Sequence, residues 1–283
     1  MGLFDKKVLS QKFDERFSKE TKEVLVVTAD EMTASKSRDD EYWTAMISIL
    51  GYIDLENNEL NEKKRYLEWE ITEKQRLKSK LYNLKAGKIY QLTVRESKMF
   101  ENQYTHQIME KGNWLMVVEV NKRDCHDERL ERILAEYQKE VSIQPEGCES
   151  LKLDKSLCLF SGKGMWNKAE CYIHIDSDGD GKETANNALK TYYELMRYCE
   201  EWDQKAREFA AKELTDLAND WAEEDGIEIT NEDFMKRLEI SEVCVSPDGD
   251  FELFYNDDDM FYGHVIIVSG NIEDGLDSAD IAG

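Results

Sequence analysis

A chain of 283 residues, 41% hydrophobic and 35% charged, can bury one large core or two ordinary ones, which excludes a disordered polypeptide. No apolar run approaches the ~20 residues of a spanning helix, and the start, MGLFDKKVLSQKF, lacks a secretory signal's apolar core and cleavage site, so a cytoplasmic protein without membrane association is expected. The formal charge of −24 is segregated, since residues 201–283 carry 24 acidic against 5 basic side chains, a net of −19; that field repels phosphate backbones, so no nucleic acid is expected as a partner, and it suits basic proteins or cations.

Along the first 120 residues the pattern is that of strands. Val24–Thr28 is a short apolar run, and over Tyr42–Asp54 the residues Trp43, Ala45, Ile47, Ile49 and Ile53 share one parity. Leu67, Trp69 and Ile71 alternate with Glu68 and Glu70. Two further runs, Lys88–Arg95 and Trp114–Val120, each follow a glycine-bearing turn. Five or six strands joined by turns predict an antiparallel sheet, barrel-like if it closes on itself.

The period changes after His126. Leu130, Ile133, Leu134 and Tyr137 recur at helical spacing until Pro145-Glu146-Gly147 breaks the pattern. Leu151–Asp176 reads as strands. Leu189, Tyr192, Met196, Cys199, Trp202, Ala206, Phe209, Leu214, Leu217 and Trp221 then predict a long helical stripe, with a break near 200–203 because an ordinary helix is shorter. Thr230 is an N-cap candidate for a short helix through Leu238. Strands over 242–245, 251–255 and 262–269 complete the reading, the last of them apolar on both faces and therefore central.

These signals predict an α+β protein in two parts, a mostly β module over residues 1–123 and an α+β domain over 124–283, in which an antiparallel sheet packs against one or two long helices. Six cysteines stand singly, without a CxxC pair, and read as free thiols in a monomer.

FELFYNDDDMFYGHVIIVSG over Phe251–Gly270, together with LCLFSGKGMWNKAECYIHID over Leu157–Asp176, resembles the bacterial domain-of-unknown-function family 2262. The strands over Leu50–Leu60 and Arg65–Ile71 resemble the uncharacterised module that often precedes that family's domain. The resemblance implies a bacterial cytoplasmic protein. It brings no catalytic residues, and through the toxin–immunity gene neighbourhoods of some members it implies an immunity-type role.

Two clusters carry candidate chemistry. Asp257, Asp258 and Asp259 form an acidic turn before Gly263 and His264, a set that suits a cation, a Lys/Arg-rich partner or acid–base work. Gly263 is expected to admit an overlying aromatic ring, and His264 to hold the acidic turn through its ring. Asp176, Asp178 and Asp180 occupy positions 1, 3 and 5 of a calcium-loop pattern, but Asn187 stands where the bidentate Glu belongs, so only weak divalent-cation binding is expected and no cofactor. No GxSxG, phosphate loop or HExxH motif is present. A non-enzymatic acidic module that binds a basic protein is therefore the expectation; the alternative is a metal-dependent hydrolase using His264 and the 257–259 turn.

Overall fold

The computed structural model describes residues 9–78, 84–101, 108–179, 182–221 and 228–283, in two compact units that divide after Lys139. The first unit begins with α1 (Gln11–Asp14), β1 (Lys22–Thr28), β2 (Thr33–Ser35), β3 (Trp43–Asp54), β4 (Glu59–Asn61) and β5 (Arg65–Ile71). It continues through α2 (Glu73–Lys78), β6 (Ile89–Glu96), β7 (Phe100–Glu101), β8 (Ile108–Met109), β9 (Trp114–Lys122) and α3 (Glu128–Tyr137).

Five of these strands close into a barrel in the order β1, β6, β9, β5, β3 and back to β1. Closure depends on the length of β3. Its first half, Trp43–Ile49, pairs with β5, and its second half, to Asp54, pairs with β1. The alternating residues Val24, Val26, Ala45, Ile47, Leu67, Trp69, Leu92, Val94, Leu115 and Val117 all meet in one core, as period-two patterning on a closed sheet requires. Gly51 permits the tight pairing with β4, because a Cβ there would stand 2.7 Å from the Asn61 carbonyl oxygen. One barrel seam, β5 with β9, is parallel, so the sheet is not wholly antiparallel.

The helical run after His126 belongs to this first unit. Leu130 is fully buried, and with Ile133, Leu134 and Tyr137 it packs on Val27, Ile53 and Ile89 outside the barrel. The boundary expected at 123/124 therefore moves to the end of α3, since a change of period marks a change of element and not a change of core.

The second unit comprises β10 (Ser142–Ile143), β11 (Leu151–Asp154), β12 (Leu159–Trp166) and β13 (Ala169–Asp176), then α4 (Ala188–Arg197), α5 (Cys199–Trp221) and α6 (Asn231–Arg237). Four further strands follow: β14 (Glu239–Val245), β15 (Asp250–Asn256), β16 (Val265–Asn271) and β17 (Gly275–Ala282). All eight form one sheet in chain order. It consists of two four-stranded antiparallel meanders joined by a parallel pair, β13 with β14. A parallel neighbour needs a long crossover, and the three helices supply it.

The predicted helical stripe breaks at Tyr198, a few residues earlier than expected, where the backbone leaves the helical region. Small side chains let α5 lie close against the sheet: Ala206, Ala210, Ala211 and Ala218 are all buried. They share a core with Phe160, Trp166, Ile173, Phe251, Leu253 and Ile266. β16 runs between β15 and β17, with Ile266 and Val268 buried in the core and Val265 and Ile267 half-buried on the opposite face. No helix of the described residues is long and apolar enough to cross a membrane, and the six cysteines are free thiols.

Candidate functional site

The connection between β15 and β16 holds the five residues Asp257, Asp258, Asp259, Gly263 and His264. Four of its positions are left-handed: Asp258 (φ 48°), Asp259 (φ 60°), Tyr262 (φ 55°) and Gly263 (φ 84°). Three of the four are not glycine, which is uncommon enough to require specific support.

Asp257 supplies much of that support. It is 4% exposed; its Oδ2 accepts from the backbone N–H of Phe261 at 2.6 Å and of Gly263 at 3.3 Å, and its Oδ1 accepts from Asp259 at 3.2 Å. Phe261 is the hydrophobic plug, fully buried between the ring of Trp221 at the end of α5 and that of Phe234 in α6. From outside, Arg237 of α6 donates through Nε to the Asp258 carboxylate at 2.8 Å and through Nη2 to its carbonyl at 2.5 Å.

His264 also secures the loop through its ring. Its Nδ1 donates to the main-chain carbonyl of Phe261 at 2.5 Å, and its ring stands edge-on to Trp221 at 5.4 Å. Among the described residues its nitrogens form no ion pair with a carboxylate. Gly263 does not match expectation: nothing lies within 4 Å of where its Cβ would be. Glycine is needed there for the positive φ and not to make room for a ring.

What the loop shows to solvent is Asp258, Asp259 and Tyr262, the last 74% exposed. The Tyr262 hydroxyl donates to the Trp221 carbonyl at 3.2 Å, so even this exposed ring has a fixed orientation. Arg237 and the Trp221 carbonyl thus hold the Asp258 carboxylate and the Tyr262 phenol in place.

The other candidate cluster does not come together as a cation loop. Asp178 accepts from the N–H groups of Asn186 and Asn187, both at 2.9 Å, and from the Thr184 hydroxyl at 2.7 Å. These donors hold its carboxyl at about 2. They make it the organiser of the turn before α4, where carboxylates are favoured. Asp176 accepts instead from the Ser246 hydroxyl at 2.9 Å, and Asp180 lies outside the described residues. Among the described residues no three His, Cys, Asp or Glu side chains converge as metal ligands.

Two constellations escaped the sequence reading. In the interior, Asp203 of α5 accepts from Trp166 Nε1 and the Tyr255 hydroxyl, both at 3.1 Å, from Asn167 at 3.1 Å and from Arg207 Nε at 2.8 Å. Arg207 reaches on to the carbonyls of Met235 and Leu238. Burial works to raise the Asp203 carboxyl, yet Arg207 and the other donors hold it below the ordinary carboxylate value. Burial and the neighbouring Asp203 charge push the Tyr255 phenol well up. A charge inside an apolar helical stripe was the available signal.

On the sheet face away from this core, Ser161, His174 and Glu242 form a row across β12, β13 and β14. His174 Nδ1 lies 2.8 Å from the Ser161 hydroxyl and Nε2 lies 3.1 Å from the Glu242 carboxylate. Because an ionised carboxylate only accepts, Nε2 is the nitrogen that donates to Glu242. Alternation in Tyr172-Ile173-His174-Ile175 could have shown that His174 faces away from the core. Only the parallel pairing of β13 with β14 brings Glu242 to it.

Fold and loop together define an α+β protein with two β-rich units, the second presenting a braced acidic turn. Residues 147–281 match the model of the family described as uncharacterized protein conserved in bacteria (DUF2262), and residues 10–137 match a domain of unknown function (DUF7021). The second match includes α3, in agreement with its packing on the barrel. Comparison with curated proteins and with solved structures gives no match.

Proposed function

We propose that the second unit is a non-enzymatic binding module for a basic protein, with the 257–264 loop as its contact point. The observation that carries this reading is the bracing of three non-glycine residues in left-handed conformations around an exposed acid–phenol group. Strain of this kind persists only where surrounding structure enforces it, and it gathers at ligand clamps and switches. An aromatic ring beside carboxylates suits a Lys or Arg side chain, which gains both charge pairing and a ring face. The net charge of −19 over residues 201–283 adds a long-range field that draws a basic protein in and speeds encounter at low salt. An immunity-type or regulatory partner of a basic protein is the cellular form of this reading.

The test is affinity capture from the bacterial host on immobilised protein, with wild type and an Asp259→Lys/Tyr262→Ala double variant side by side. A basic protein should be retained by wild type at low salt, released at high salt, and absent from the double variant, which folds normally by circular dichroism. Retention indifferent to both salt and the double variant would overturn the proposal.

A further inference from the structure

The first unit contains a cavity of about 380 Å³ between α1, the outer surface of β5 and the strands around Phe100 and Trp114. That volume is in the range of small-molecule sites. Its chemistry is mixed in a specific way. Phe13, Phe100 and Trp114 give it apolar walls, and among its described lining residues Lys12 pairs with Asp40 and Arg16 with Glu68, while Glu70 stands beside them.

What such a site selects is shown by the group that already stands at its wall. Arg16 presents its guanidinium to the rings of Phe13, Phe17 and Phe100, with centroid distances of 5.3, 5.3 and 5.4 Å. The same guanidinium bonds Glu68 at 2.8 Å, and the Glu68 side chain is only 7% exposed. An aromatic cage with a buried carboxylate is the chemistry that holds organic cations. Room for a second cation remains on the carboxylate side. Among the described residues Glu70 accepts the backbone N–H and hydroxyl of Ser10, at 2.5 and 2.7 Å, and an ionised carboxylate has about four acceptor positions.

We propose that this cavity is a binding site for a small organic cation, a primary ammonium or guanidinium on a short apolar stem, with Glu70 receiving the charge and Phe100 lining the stem. The site belongs to the first unit alone and is independent of the acidic loop in the second.

Calorimetric titration of the full chain with phenethylamine and n-butylguanidine tests this, against 2-phenylethanol and phenylacetate, which keep the apolar body without the positive charge. Both cations should bind at least about tenfold more tightly than the alcohol, with phenylacetate weakest; each tenfold corresponds to about 1.4 kcal/mol. Glu70→Gln should weaken the cations by about tenfold and leave the alcohol unchanged, while Phe100→Ala weakens all ligands of this body. Equal binding of amine and alcohol by wild type, or no heat from either cation, overturns the proposal without relying on any variant. Unchanged cation affinity in a folded Glu70→Gln protein overturns the assignment of Glu70.

Discussion

Replacing Asp203 by Ala removes the acceptor on which four donors from three parts of the second unit converge. Trp166 and Tyr255 are fully buried, so water reaches their vacated donors poorly. A hydrogen bond to a charged group contributes about 1.5–3 kcal/mol, and breaking a buried ion pair from one side costs about 3–5 kcal/mol. These terms overlap because all pass through one carboxylate, so we expect a loss of about 4 kcal/mol for Asp203→Ala and about 2 kcal/mol for Asp203→Asn, which keeps an acceptor oxygen. With a urea m value of about 2 kcal/mol/M, the midpoint of this unit should fall by about 2 M and 1 M respectively. The pH dependence has a definite sign. The folded carboxyl lies below its ordinary value, so its stabilising effect is full above pH about 4 and is lost as pH falls through the folded value. Wild type and Asp203→Asn should therefore converge in acid. A loss below about 1 kcal/mol for Asp203→Ala would refute the view that this carboxylate ties α5 to the sheet.

The loop and the turn before α4 give further tests. Asp257→Ala should cost about 3 kcal/mol in urea unfolding, because three backbone N–H groups lose a charged acceptor. Gly263→Ala should cost about 1 kcal/mol and Gly263→Asn less, since the position needs a left-handed backbone and not empty space; equal losses for the two variants would contradict this. His264→Ala should cost about 1 kcal/mol through the lost bond to the Phe261 carbonyl. Asp178 has its carboxyl lowered to about 2, so thermal melts of wild type and Asp178→Ala should differ above pH 3.8, its ordinary value, and converge as pH falls toward 2.

The local features were legible because they rest on local chemistry. Alternation in Trp43–Asp54 and Leu67–Ile71 gave the barrel strands. Thr230 caps α6 through its hydroxyl as its residue type suggests. The two apolar faces of Val265–Ser269 gave an interior strand. Even so, β17 was invisible, because GLDSADIA carries acids at exposed positions and has little strand character by composition. It becomes a strand because the exposed edge of β16 offers it a full ladder.

The sequence by itself determined an α+β chain of two parts with an acidic C-terminal region, since periodicity, cap residues and charge are properties of neighbouring residues. Tertiary structure alone decided which core α3 joins, how β3 closes the barrel, and which groups meet. Glu242 reaches His174 only through a parallel strand pair that three helices intervene to make. Asp203 meets Tyr255 across 52 residues. The acidic turn was visible as three consecutive aspartates, but their separate fates were not: the first is buried under backbone N–H groups, the second is paired with Arg237, and the third faces water. Three identical side chains differ only in the geometry around them, and that geometry is set by the packing of Phe261 against Trp221 and Phe234.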